Sequence, residues 1–87
     1  MYEVELAPAA QRALEVDLPV AAAAAVFETI SGTIAANPHR AGSRLKPPFD
    51  GEYAARRGPY RIVYTVDDDT RVVRIRRIRH RRDAYRR

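Results

Sequence analysis

Residues 2–6 alternate, with Tyr2, Val4 and Leu6 on one side and Glu3 and Glu5 on the other, which predicts a short, half-buried strand. Ala7-Pro8 opens a helix, because proline is tolerated in a first turn where its missing N–H has no bond to make. Ala9, Ala10, Ala13 and Leu14 supply that helix with an apolar stripe. Leu18-Pro19 restarts the chain into a second helix by the same device. There Ala22, Val26, Ile30 and Thr33 recur at three- and four-residue intervals, beside Ala25, Thr29 and Ile34. The stretch 20–27 is nearly apolar, so most of this helix is expected under cover. Asn37-Pro38 ends it, since a residue before proline avoids the helical region.

Residues 39–50, with Gly42, Pro47 and Pro48, read as a loop. Beyond Gly51 the period changes to that of strands: Glu52–Arg57, 60–66 and 71–79, joined by turns at Gly58-Pro59 and at residues 67–70. Both turns are short enough to force antiparallel neighbours. In the last strand Val73 and Ile75 share a face while Ile78 falls on the other, which predicts a bulge or strand end near Arg76-Arg77. Residues 81–87 are expected to make a single helical turn. The order β-α-α-β-β-β implies an α+β fold, with a mainly antiparallel four-stranded sheet packed on two N-terminal helices. Only the first strand is free to lie parallel to a neighbour, and one sheet face is left to solvent or a ligand. Eighty-seven residues suffice for one domain, 1–87, with one modest core.

Several chemistries drop out. Without cysteine there is no disulfide, thiolate or cysteine-based metal site, and His39 and His80 have no metal-ligand spacing, so neither a metal nor a cofactor is expected. No run approaches the roughly 18 apolar residues of a membrane helix. Nothing basic precedes an apolar run at the start, so no signal peptide and no membrane association are expected there, and a cytoplasmic location is the default.

Charge changes the picture most. Residues 1–38 carry one cation, Arg12, against five anions, a net of −4, whereas residues 39–87 carry fifteen cations and six anions, a net of +9. Such crowding attracts a polyanion. Arg56, Arg57 and Arg61 bracket the Gly58-Pro59 turn, and Arg74, Arg76, Arg77, Arg79, Arg81 and Arg82 follow on the neighbouring strand and tail. Alternate positions on paired strands face the same way, so a guanidinium patch is expected. The planar fork of arginine suits phosphate because it donates two hydrogen bonds at once. One or two such residues would amount to a solvated face; a run this dense exceeds that. Glu52 and Asp83 are isolated acids among cations, read as ion-pair partners. His80, between Arg79 and Arg81, is a group able to exchange a proton near neutrality, and Tyr85 is able to stack on a base. Each has a structural alternative, a strand-end cap for the histidine and a ring laid over the sheet for the tyrosine. His39 reads as a loop residue.

Taken together, Leu18-Pro19, Asn37-Pro38-His39-Arg40, Gly42 before Leu45, Ala55-Arg56-Arg57-Gly58 running into Tyr60-Arg61-Ile62-Val63-Tyr64, and the ending Ile78-Arg79-His80-Arg81-Arg82-Asp83-Ala84-Tyr85 carry a pattern over essentially the whole chain. It resembles the RelE/ParE superfamily of type II toxin–antitoxin toxins, and within it the RelE branch. The resemblance implies a small RelE-like, microbial-ribonuclease-like fold. It also implies a ribosome-dependent mRNA endonuclease that cuts by attack of the ribose 2′-hydroxyl on its own phosphate in the ribosomal A site, inhibiting translation. Arg61 would stabilise the phosphorane, Arg81 assist the phosphate or leaving group, Tyr85 orient the base, and His80 take part in proton transfer. Arg44, Lys46, Arg56, Arg57 and Arg79 are the cations expected to hold the RNA. The implied partner is a cognate antitoxin with an acidic, partly disordered segment. One departure stands out: the strand segment Tyr53-Ala54-Ala55 has none of the lysines of well-known RelE-type members. That leaves the general base open, and with it two alternatives, a ParE-like DNA gyrase inhibitor without a nuclease site and a plain basic RNA-binding module.

Overall fold

The computed structural model describes residues 1–83. Strand β1 (Glu3–Leu6) leads through extended Ala7 into α1 (Pro8–Arg12), with Pro8 in the first turn, and α1 widens into a π-helical turn over Ala13–Asp17. Extended Leu18 breaks the chain, and α2 (Val20–Thr29) follows, widening in turn over Ile30–Ile34. Then come α3 (Pro38–Ala41), β2 (Ser43–Arg44), β3 (Glu52–Arg57), β4 (Tyr60–Asp67) and β5 (Val72–His80).

The sheet has five strands in the order β1-β5-β4-β3-β2, one more than the sequence pattern predicts. The extra strand lies in the expected loop: Ser43 and Arg44 pair antiparallel with Ala54 and Tyr53. The same stretch holds α3, a single turn that reuses the proline of Asn37-Pro38 as its own start. Elements of two and four residues are too short to show a period, which is why the sequence conceals them. β1 runs parallel to β5, as expected, and every other pairing is antiparallel.

The helices cover one sheet face. Ala10, Ala13, Val26, Ile30 and Ile34 meet Ala55, Ile62, Tyr64, Val73, Ile75 and Ile78 in one buried cluster. The expected bulge is present: Val63 pairs with Arg77 but Tyr64 pairs with Ile75, so Arg76 is the extra residue. That insertion keeps Val73, Ile75 and Ile78 all on the helix side and sends Arg77 and Arg79 to the other. Among the described residues no helix is long and apolar enough to cross a membrane.

Two contacts pin the segment between helices and sheet. The buried Tyr64 hydroxyl donates to the Pro38 carbonyl at 2.6 Å, and burial pushes its pKa up to about 12. Gly42 passes so close to β3 that a Cβ there would lie 2.6 Å from the Ala54 carbonyl oxygen and 2.7 Å from the Tyr64 hydroxyl. Gly58 takes φ +56° in the β3–β4 turn, a region that disfavours side chains.

Candidate RNA-binding face

The cross-strand register fixes which side chains share the open face. Arg56 on β3 stands opposite Arg61 on β4, and Arg61 stands opposite Arg79 on β5. Three guanidinium groups thus form a row across three adjacent strands. Like charges placed directly opposite one another repel and weaken a sheet. None of the three has a carboxylate partner among the described residues. Further along the same face the cations are paired: Arg77 donates two hydrogen bonds to Glu52, at 3.0 and 3.2 Å, and Arg74 meets Glu5 at 3.4 Å. The open face therefore has a neutralised half and an uncompensated half. An anion is attracted to the second.

Arg61, Arg77 and Arg79, with Leu45, Phe49 and Val63, line a cavity of about 310 Å³ on this face. Arg81 stays at the same end of the sheet, because its N–H donates to the Pro59 carbonyl at 2.7 Å, holding it against the β3–β4 turn. Lys46 is exposed at the start of the loop that carries Phe49. Arg61, Arg77 and Arg79 thus form the concave, cationic part of this face, with Arg81 beside the β3–β4 turn and Lys46 toward the other end of β3, where Leu45 pairs with Glu52.

Three of the expected site residues lie elsewhere. Arg57 faces the helices, where it meets the Glu28 carboxylate at 3.0 Å and the Thr29 hydroxyl at 3.0 Å. Strand alternation separates it from its neighbour Arg56. Arg44 pairs with Tyr53 at the sheet edge, its guanidinium 5.9 Å from the ring centroid. His80 pairs with Tyr60 and so lies on the helix side, opposite in direction to Arg61 and Arg79. Its ring meets Tyr60 edge-on at 5.4 Å, and its Nδ1 accepts the Arg82 N–H at 3.1 Å. The geometry of His80 is that of a strand-end cap. Tyr85 lies outside the described residues.

The sequence did not reveal a second polar cluster at the opposite end of the sheet. His39, on α3, has Nδ1 3.0 Å from the Tyr53 hydroxyl and Nε2 2.9 Å from Asp68. The Tyr2 hydroxyl donates to the same Asp68 at 2.6 Å. The Tyr2 bond, then the His39 contact, hold the Asp68 carboxyl below its ordinary pKa, and the same bond raises that of Tyr2. Arg71, with φ +58°, lays its guanidinium 4.3 Å from the Tyr2 ring centroid. This network ties the start of the chain, α3, β3 and the β4–β5 turn together. Its members are up to 66 residues apart, so no local spacing announces it.

Comparison with known proteins agrees with this architecture. Residues 4–85 match the family described as "ParE toxin of type II toxin-antitoxin system, parDE". The chain belongs to the RelE/ParE family of toxins. The toxin is 41% identical to Toxin RelE of Mycobacterium tuberculosis over 85 residues, covering 98% of this chain and 87% of the relative. It is equally similar, at 41% over 86 residues, to Toxin RelG of the same organism, covering 99% and 98%. Among solved structures, the toxin–antitoxin complex RelBE2 of M. tuberculosis superposes with a TM-score of 0.85 at 38% identity, covering 91% of this toxin and 96% of that chain. The isolated RelE toxin of Escherichia coli shares the fold, with a TM-score of 0.76 at 18% identity, covering 92% and 84%.

Proposed function

We propose that this toxin is a ribosome-dependent mRNA endonuclease that arrests translation. The observation that carries the reading is the row Arg56–Arg61–Arg79, three mutually repelling cations without a carboxylate among the described residues. A sheet that tolerates this repulsion is arranged for an anionic ligand. In the proposed reaction the ribose 2′-oxygen forms a bond to the adjacent phosphorus and loses its proton. The bond to the 5′-oxygen breaks and that oxygen takes up a proton, leaving a cyclic phosphate and a free 5′-hydroxyl. Arg61 and Arg79, both lining the cavity, stabilise the charge that develops on the phosphorane, with Arg81 at the same end of the sheet. Electrostatic stabilisation of this kind generally contributes more to such catalysis than any other single effect. Tyr85 is assigned to orient the base, and Lys46 and Arg56 to hold the flanking backbone.

A cognate antitoxin is the second part of the proposal. The M. tuberculosis RelBE2 relative is a toxin–antitoxin complex, and an acidic segment laid over the open face would neutralise the unpaired row. A second reading, inhibition of DNA gyrase, is favoured by the ParE description of the matching family and by the absence of lysine at positions 53–55. Induction of the wild type beside Arg61→Ala and Arg81→Ala, with mRNA ends mapped by primer extension, separates the two. Cuts within translated codons in the wild type, lost in both variants, support the nuclease; gyrase-dependent DNA breaks support the other. Full growth arrest by both variants removes the nuclease assignment.

A further inference from the structure

A phosphate site alone does not explain the cavity's composition. Beside Arg61, Arg77 and Arg79 stand three apolar side chains, Leu45, Val63 and Phe49. Val63 is buried, and Phe49 is 49% exposed, so part of its ring is open to a ligand. The loop that carries it is held by its own backbone. Leu45 N–H donates to Glu52 O at 2.9 Å, Phe49 N–H to Lys46 O at 3.1 Å, and Glu52 N–H to Phe49 O at 3.1 Å. An ordered turn therefore carries the ring at the edge of the cavity. The Arg77 guanidinium lies 5.7 Å from its centroid and is itself fixed by the paired bonds to Glu52. Two oriented planar groups, one aromatic and one guanidinium, thus adjoin two cations with no carboxylate partner among the described residues.

Unstacked nucleobases are recognised by aromatic rings and by arginine planes. We propose that Phe49 is a nucleobase-stacking platform for single-stranded RNA. The proposal deepens the nuclease reading and rests on it: Arg61 and Arg79 take the phosphate, while the base of the same or the adjoining nucleotide lies against Phe49. The cavity, at about 310 Å³, lies at the lower end of the range of ligand pockets, roughly 300–1,000 Å³.

The test uses ribosomes programmed with a message whose A-site codon is 2′-deoxy, so that it binds without being cut, and three further messages each lacking one base of that codon. Affinity is measured for the wild type, Phe49→Ala and Phe49→Trp. On the complete codon Phe49→Ala binds about 5- to 150-fold more weakly, the equivalent of one stacked base, and Phe49→Trp restores binding. On one of the three abasic messages the difference between wild type and Phe49→Ala collapses. A Phe49→Ala protein that binds the complete codon as the wild type does, or that loses the same factor on all four messages, overturns the platform; the second result marks a loop defect. A wild type that neither binds the programmed ribosome nor cuts an all-ribose message overturns the nuclease reading, and the platform with it.

Discussion

Removing one oxygen from Tyr64 tests how α3 is anchored to the sheet. Tyr64 is fully buried, and its hydroxyl donates to the Pro38 carbonyl at 2.6 Å, while its ring stacks on Tyr53 at 5.6 Å. Tyr64→Phe preserves the stack and deletes only the donor. The Pro38 carbonyl then stays in the interior without this partner, which typically costs about 1–3 kcal/mol. Taking about 2 kcal/mol and a urea m-value of roughly 1.5 kcal/mol/M, the unfolding midpoint falls by a little over 1 M. Tyr53→Phe is the control. Its hydroxyl meets His39 at an exposed position, so water replaces the lost bond and the midpoint moves by a small fraction of that amount. Urea titrations followed by circular dichroism measure both. A Tyr64→Phe midpoint within about 0.2 M of the wild type, or equal shifts in the two variants, would refute the claim that a buried carbonyl depends on this hydroxyl.

Further expectations follow from the same packing. Gly42→Ala forces a Cβ to within 2.6 Å of the Ala54 carbonyl, and the β2–β3 edge must move, at about 1–3 kcal/mol by the same urea measurement. The raised pKa of Tyr64, about 12, means the folded chain keeps a proton that the unfolded chain loses near 10, so stability falls as pH rises from 10 to 12. Absorbance at 295 nm should then show at least one tyrosine ionising only as the protein unfolds, and Tyr64→Phe should lose that late step. The depressed pKa of Asp68 has the opposite sign: its contribution is present above the ordinary carboxylate value near 3.9 and is lost as pH falls below it. Asp68→Asn should flatten the acid limb of the melting temperature against pH; an unchanged limb would contradict the Tyr2 and His39 contacts. Arg57→Ala, whose guanidinium is engaged with Glu28 on the helix side, should leave the salt dependence of RNA affinity unchanged, whereas Arg61→Ala should reduce the log–log slope by about 0.7.

The order of the longer elements, the parallel first strand and the bulge at Arg76 are legible because each rests on local pattern: alternation, a proline or a break in parity. The resemblance supplied a role for Arg61, and the register confirms only its place beside Arg56 and Arg79. What escaped depends on distance. His39 reads as a loop residue until a turn 29 positions away supplies Asp68. Arg56 and Arg57 look equivalent as neighbouring cations, yet adjacent strand residues face opposite ways and Glu28 waits for only one of them. Proximity in sequence groups His80 with the arginines, but alternation beyond the bulge sends it to the side of Tyr60. Phe49 gave no signal at all, because a lone aromatic between prolines and glycine becomes meaningful only when the loop folds over Val63.

The odd residue in β5 makes the binding surface depend on counting as well as on composition. Were β5 to pair as a regular ladder with Arg76 kept in it, every later side chain would change sides, turning Ile78 to solvent and Arg77 and Arg79 toward the helices; deleting Arg76 instead joins Ile75 to Arg77 and leaves each later side chain on its present face. One extra residue is thus what sorts a run of neighbouring arginines and isoleucines by face, and loss of Arg76 should leave that sorting intact.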